Sequence, residues 1–220
     1  KPIACNSNEA RKLVCLAKEK NLKLQVGHVE RFNPALLAVQ EKLKKPLFIE
    51  CHRLAPFKPR SLQVDVVLDL MIHDLDVTLS LVRSPVRSVS AVGTPVLTEH
   101  VDIANARIEF ESGAVANVTA SRVSPSALRK FRVFQQDQYL SIDFGSGEIK
   151  LITKVGKMED PLNPPLLQES WNLEKGDALA KEMQSFIDAL GNDRPCVVPG
   201  EDGLIALELA EEILRKIERK

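Results

Sequence analysis

Residues 64–82 read VDVVLDLMIHDLDVTLSLV and are the most informative stretch of the chain. The apolar residues cover nearly every face of a helix, so a helix formed here is expected to be largely buried. The same stretch carries the ionisable side chains of Asp65, Asp69, His73, Asp74 and Asp76. Because ionisable groups are costly to bury unless they are paired or used, the stretch is also where chemistry is expected.

The sequence becomes β-rich after this helix. Short turn signals, among them Gly113 and the Gly-Ser-Gly of residues 145–147, separate runs typical of strands. The predicted strands span residues 47–54, 86–92, 103–110, 114–121, 130–136, 139–143, 148–154 and 168–173. Consecutive strands joined by short turns favour a large, mainly antiparallel open sheet, an α+β arrangement flanked by helices. The closing helices are predicted over residues 177–190 and 203–219.

The amino-terminal part has a different organisation. Residues 7–20 have the apolar spacing of an amphipathic helix with Ser7 as its N-cap, and residues 22–27 alternate like a short strand. Such an αβ unit is expected at the edge of a parallel sheet and cannot make a domain alone. A second helix is predicted over residues 33–45, with Pro34 in its first turn.

Composition excludes several classes of protein. The 30 basic and 30 acidic residues cancel, and no stretch combines clustered Lys and Arg with aromatic residues as nucleic-acid binding requires. The apolar runs are shorter than the roughly 18 residues of a membrane span. The 4 cysteines have no metal-ligand spacing. We therefore expect no nucleic acid, no membrane and no metal, and a cytoplasmic location with reduced thiols.

Asp69 and His73 are the candidate catalytic pair. They are four residues apart, so a helix places them on one face. A carboxylate can orient an imidazole and stabilise its charged form, which makes the histidine a proton acceptor near neutral pH. An internal ion pair or a histidine in a core hydrogen bond explains the same spacing, and both interpretations stay open on the spacing alone.

Three arginines are candidate ligands for an anionic substrate. Arg53 and Arg60 flank a loop that also contains Lys58, and Arg31 precedes a predicted helix. Guanidinium groups bind phosphate or carboxylate well. Capping of a helix by Arg31 and simple solvation of the loop are the alternatives.

Together these residues resemble the glucose–fructose oxidoreductase/inositol dehydrogenase (Gfo/Idh/MocA) family. The Lys-Pro of residues 1–2 is similar to the end of its Glu-Lys-Pro motif, and GHVERFNP at residues 27–34 to its Gly-x-x-x-Arg-Phe-x-Pro. Asp69 and His73 match its Asp-x-x-x-His, and PGEDG at residues 199–203 its closing segment. The resemblance implies that residues 1–33 end a dinucleotide-binding Rossmann domain. Residues 34–220 would form a substrate-binding and oligomerisation domain.

The resemblance also implies an activity, the transfer of a hydride from a sugar hydroxyl carbon to NAD or NADP. His73 would take the hydroxyl proton and Asp69 would orient it. Lys1 would hydrogen-bond the reacting oxygen and, with Pro2, contact the cofactor. Subunits would associate as a homodimer or homotetramer through the open face of the sheet. Because the chain has no glycine-rich phosphate loop, the 220 residues alone are expected to bind NAD poorly and to be inactive.

Within the family, residues 26–33 and 52–74 are most similar to the branch that oxidises the 3-hydroxyl of UDP-N-acetylglucosamine. A diphosphate substrate would give Arg31, Arg53 and Arg60 a purpose. Many members carry glycines close to the Asp and the His, where this chain has Val66 to Leu68 and Met71, so the exact sugar is not implied. An inositol or monosaccharide dehydrogenase and a non-catalytic oligomerisation or binding domain remain alternatives.

Overall fold

A computed structural model describes residues 2–60, 62–174 and 176–218. The eight strands of this part are β1 (Phe48–Leu54), β2 (Val86–Thr94), β3 (Ile103–Phe110), β4 (Val115–Ser121), β5 (Leu128–Gln135), β6 (Gln138–Asp143), β7 (Glu148–Lys154) and β8 (Leu166–Asn172). They form one open sheet in the order β2-β3-β4-β1-β5-β6-β7-β8. β1 runs parallel to β4, and the other neighbours are antiparallel. The predicted mainly antiparallel open sheet is confirmed.

Five α-helices accompany the sheet in the described part of the chain. They are α1 (Ser7–Glu19), α2 (Pro34–Leu37), α3 (Ile72–Val82), α4 (Ala178–Gly191) and α5 (Gly200–Glu218). Val29–Phe32 and Gln40–Lys42 form 3₁₀ turns, and Val67–Met71 forms a π-helical turn that leads into α3. None of the described helices is both long and apolar enough to cross a lipid bilayer.

The amino-terminal predictions need two corrections. The N-cap of α1 is Asn6, whose side chain accepts the backbone N–H of Glu9 at 2.9 Å, because Ser7 instead donates to Glu211 of α5 through its backbone and its hydroxyl. Residues 22–27 form only an isolated antiparallel bridge between Gln25 and Pro199. A strand extends only beside another strand, whereas this segment is held by Glu182 of α4, by Asp193 after it and by the stretch that leads into α5.

The helix predicted over residues 33–45 is also shorter than expected. Asn33 caps α2 by accepting the backbone N–H of Ala35 at 3.0 Å, and Pro34 occupies its first turn. Instead of continuing as a helix, the chain is tied to the sheet by Gln135, whose side chain accepts from the backbone N–H of Lys44 at 3.2 Å and donates to the carbonyl of Lys42 at 2.7 Å.

One face of the sheet packs against helices and forms the core. Along β1, Ile49, Cys51 and Arg53 are buried while the alternate residues are partly exposed. Cys51 Sγ lies 3.9 Å from Thr78 Oγ1, which places α3 on this face. Fully buried side chains such as Phe131 fill the interior, and each large apolar side chain contributes about 1.5–3 kcal/mol on burial.

The opposite face of the sheet carries an aromatic row. Phe48, Phe134 and Tyr139 lie on neighbouring strands, with ring centroids 5.6 Å and 5.0 Å apart. All three side chains are half-buried. This face therefore combines apolar contact area with access to solvent.

Candidate functional site

The buried helix predicted over residues 64–82 begins with a π-helical turn. Asp65 precedes this turn and accepts the backbone N–H of Val101 at 2.8 Å, and Val66 donates to the carbonyl of Val101 at 2.9 Å. The backbone N–H of Ile72 then reaches back to the carbonyl of Val67, the spacing of a π-helix. Such turns are frequent at functional sites, although the apolar periodicity of the sequence gave no sign of this one.

Asp69 and His73 lie on consecutive turns of this segment. Asp69 belongs to the π turn and is half-buried, whereas His73 lies in the first turn of α3 and is buried, at 9% exposure. A general base must lie within hydrogen-bond reach of the proton that it accepts. The spacing that suggested the pair is thus present in three dimensions, and its catalytic role stays a prediction.

Arg53 is enclosed at the end of β1. Its Nε and Nη2 donate to the two carboxylate oxygens of Asp74 at 2.8 and 2.9 Å, and its Nη1 donates to Glu30 at 2.9 Å. The side chain is only 5% exposed. Burial lowers the pKa of Arg53, but the two carboxylates raise it by more, so the group stays charged. The structure therefore surrounds Arg53 with protein carboxylates rather than presenting it to an anionic ligand.

Arg31 links the 29–32 turn to two helices. Its guanidinium lies 3.4 Å from Asp76 of α3 and 3.3 Å from Asp202 of α5. Burial raises the pKa of Asp76 to about 7, with a further rise from Asp202 that Arg31 opposes. Asp76 thus titrates near neutral pH, and Arg31 is engaged at distances longer than a tight ion pair.

The remaining predicted site residues lie elsewhere. Lys1 is outside the described residues. Pro2 is half-buried ahead of α1, and Arg60 is exposed in the loop after β1. The structure therefore ties both Arg31 and Arg53 to α3, Arg31 to Asp76 and Arg53 to Asp74. Arg60 stays on the surface.

One residue of this arrangement was missed from the sequence. Glu30 is buried beside Arg53, although nothing in its local pattern marks it. The acids on the apolar helix did signal that partners were required, but their partners come from segments distant in the chain. The signal was therefore present for Asp74 and Asp76 and absent for Glu30.

Comparisons with known proteins give this site its context. Residues 45–141 match a family model described as the GFO/IDH/MocA C-terminal domain. Over 219 residues the chain is 38% identical to a UDP-N-acetylglucosamine 3-dehydrogenase of Acidithiobacillus ferrooxidans, covering 99% of this chain and 70% of that protein. The chain belongs to the Gfo/Idh/MocA family of oxidoreductases.

The structural comparison agrees with this assignment. A solved structure of the same Acidithiobacillus ferrooxidans enzyme superposes with a TM-score of 0.92, covering 100% of this chain and 70% of that one. A scyllo-inositol 2-dehydrogenase (NAD(+)) of Bacillus subtilis is more distant, 24% identical over 95% of this chain and 64% of its own length. The Gfo/Idh/MocA resemblance drawn from the motifs is confirmed.

Proposed function

We propose that this chain is the substrate-side part of an NAD(P)-dependent dehydrogenase that oxidises the 3-position of a nucleotide sugar such as UDP-N-acetylglucosamine. The observation that carries the proposal is the 38% identity to a UDP-N-acetylglucosamine 3-dehydrogenase, which extends over 99% of the chain and so includes the buried helix of the candidate site. Inositol dehydrogenases share the family at lower identity, which favours the nucleotide sugar over a free polyol.

In this mechanism His73 accepts the proton of the sugar hydroxyl. Its burial in the first turn of α3 keeps water from competing for the imidazole, and Asp69 on the preceding turn orients it. Lys1 would hydrogen-bond the reacting oxygen. A positioned general base contributes about 10²–10⁴-fold to rate. When bound, the oxidised nicotinamide supplies the hydride acceptor.

The amino-terminal part of the chain has an exposed apolar surface. Leu13 and Leu16 on α1 and Leu22 after it are between 43% and 65% exposed. These side chains suit a surface against which further elements of a dinucleotide-binding domain would pack. We therefore assign residues 1–33 to such a domain and residues 34–220 to the substrate domain, with Lys1 and Pro2 on the cofactor side.

A diphosphate substrate requires cationic partners. Arg60 is exposed, and Arg31 is held by its carboxylates only at 3.3–3.4 Å, so these two are our candidates for direct contact with phosphate. Arg53 is enclosed between Asp74 and Glu30, so we assign it no contact with phosphate.

Replacing His73 in the full-length protein tests the catalytic proposal. In His73→Asn we expect kcat for UDP-N-acetylglucosamine, followed by reduction of the nicotinamide, to fall by about 10²–10⁴-fold, with an unchanged sedimentation coefficient. Lys157→Gln, a change of an exposed residue in the loop after β7, serves as the control. A wild-type protein that oxidises myo-inositol but not the nucleotide sugar would favour the inositol alternative. No turnover of any sugar would favour a non-catalytic domain.

We also propose that the subunits associate through the open face of the sheet as a homodimer or homotetramer. The aromatic row of Phe48, Phe134 and Tyr139 supports this, because aromatic side chains are enriched in protein interfaces. Light scattering on Phe134→Glu should show a smaller particle than the wild type. A wild type that is already monomeric at micromolar concentration would exclude this association.

A further inference from the structure

A buried cluster of charges joins three elements beside the proposed base. Arg53 at the end of β1 contacts both carboxylate oxygens of Asp74 on α3 and one oxygen of Glu30 in the 29–32 turn, all within 2.9 Å. Each of the three residues is at most 6% exposed. We call Glu30, Arg53 and Asp74 the ionic clamp.

The charge balance of the clamp is uneven. Two carboxylates share one buried guanidinium, and among the described residues a further cation, Arg129, lies 4.0 Å from Glu30 and is 53% exposed. Burial raises the pKa of Asp74, and Arg53 only partly offsets that rise. Asn33 also donates to the second oxygen of Glu30 at 3.0 Å, but among the contacts of the described residues it is Arg53 that bonds both carboxylates. Removal of Arg53 would therefore break the link between Asp74 and Glu30.

Stability alone does not account for such a cluster. Replacing a buried ion pair by well-packed apolar residues is often neutral or stabilising. Apolar contacts do not fix the orientation of the groups that make them. A guanidinium with two parallel hydrogen bonds to one carboxylate fixes both the distance and the orientation of the two groups. The geometry of the clamp therefore points to positioning.

The residue that the clamp positions is the neighbour of Asp74. His73 directly precedes Asp74 in the first turn of α3, and the turn before it is π-helical. A π turn is the place where helix geometry departs from its regular form, so an anchor immediately after it fixes the direction in which His73 points. A displacement of about 1 Å at a reacting group costs about 10²-fold in rate.

We propose that Arg53 is a positioning residue for His73, holding the first turn of α3 to β1 and to the 29–32 turn through Asp74 and Glu30. This rests on the proposed function for its catalytic consequence. Arg53 touches neither substrate nor cofactor in this role, and acts through the backbone that carries His73.

The test uses Arg53→Met and Arg53→Lys in the full-length protein. Methionine keeps the length without charge, whereas lysine keeps the charge but cannot form two parallel hydrogen bonds to Asp74 while reaching Glu30. For Arg53→Met we expect kcat to fall by about 10²-fold, with KM within about threefold of the wild type. Arg53→Lys should recover part of kcat. In both variants the His73 imidazole resonances, assigned by their loss in His73→Asn, should move.

Arg87→Met is the matched control, because Arg87 is an exposed arginine on β2 that donates to the backbone carbonyl of Glu111, outside the clamp. It should leave kcat and the His73 resonances unchanged. If Arg53→Met does not fold, Glu30→Gln takes its place and should also lower kcat. A folded clamp variant with wild-type kcat overturns the proposal.

If the wild type does not oxidise the nucleotide sugar, the proposed function fails. The clamp is then judged by NMR alone, where unmoved His73 resonances overturn it.

Discussion

Asp102 offers a sharp test of how this domain supports its candidate site. Its carboxylate is fully buried, and one oxygen accepts the backbone N–H groups of Val96, Leu97 and Thr98 at 2.6–2.8 Å. The other oxygen accepts from the Thr98 hydroxyl at 2.8 Å and from Arg122 Nε at 2.7 Å. Val101, next to Asp102, holds the start of the π turn through Asp65 and Val66. The network is therefore joined, through Val101, to the segment that carries Asp69 and His73.

The expected cost of Asp102→Asn follows from these contacts. Asparagine keeps the shape but turns one acceptor into a donor, which must face either the backbone N–H groups or the buried Arg122. Breaking a buried ion pair on one side costs about 3–5 kcal/mol. Adding Arg122→Met to Asp102→Asn should recover part of this loss, because the uncompensated cation is removed with its partner.

The network also predicts how stability varies with pH. Burial alone would raise the pKa of Asp102, but the backbone N–H groups and Arg122 outweigh it and hold the pKa well below its ordinary value. A carboxyl with a lowered folded pKa stabilises the fold above its unfolded pKa of about 3.9 and loses that contribution as the pH falls further. The wild type should therefore lose stability in acid more steeply than Asp102→Asn.

Trp171 is the single tryptophan of the chain. Urea unfolding followed by its fluorescence measures the differences in free energy of unfolding. Asp160→Asn is the control, since Asp160 accepts two hydrogen bonds but lies exposed in a loop, and it should change the unfolding midpoint little. If Asp102→Asn stays within about 1 kcal/mol of the wild type with an unchanged denaturant slope, the carboxylate is not desolvated as the structure requires.

Two further predictions concern packing and pH. A Cβ at Gly203 would lie 2.6 Å from Val26 Cγ2, so Gly203→Ala should cost about 1–3 kcal/mol. Gly191→Ala, which meets nothing within 4 Å, should leave the melting temperature unchanged or raised, and the reverse order would refute the packing of α5. Because burial raises the pKa of Asp76 to about 7, its contribution to stability is largest in acid and is lost as the pH rises through neutrality. Measured against the wild type, Asp76→Asn should therefore have a more favourable free energy of unfolding at about pH 8 than at about pH 5. A variant that unfolds at less urea, relative to the wild type, at the higher pH than at the lower would contradict this.

The sheet could be predicted from the sequence because its signals are local. Alternation and glycine turns placed β3 and β7 at the observed residues and the other strands within a few residues. Pairing order was not predictable in the same way. β1 lies between β4 and β5, and no short-range pattern encodes a neighbour that lies 60 or more residues further along the chain.

The candidate site was predictable only as far as its spacing. Asp69 and His73 follow from helical periodicity and from the motifs of the family. The surroundings of Arg53 do not, because an arginine near the end of a predicted strand is expected to be solvated until its partners are known. The π turn was hidden for a related reason, since an apolar run that covers every face fits a π and an α turn equally.

The place of β1 in the sheet has a consequence for how the molecule comes together. The strands on either side of it, β2 to β4 and β5 to β8, each pair in chain order and can form as local meanders while the chain is being synthesised. β1 is made first, yet it has no neighbour until β4 has emerged and lacks its second until β5 has followed. Contacts of long sequence separation form slowly, so the seam between the two meanders is expected to close last. Arg53 sits on that seam, which makes the ionic clamp a late product of assembly.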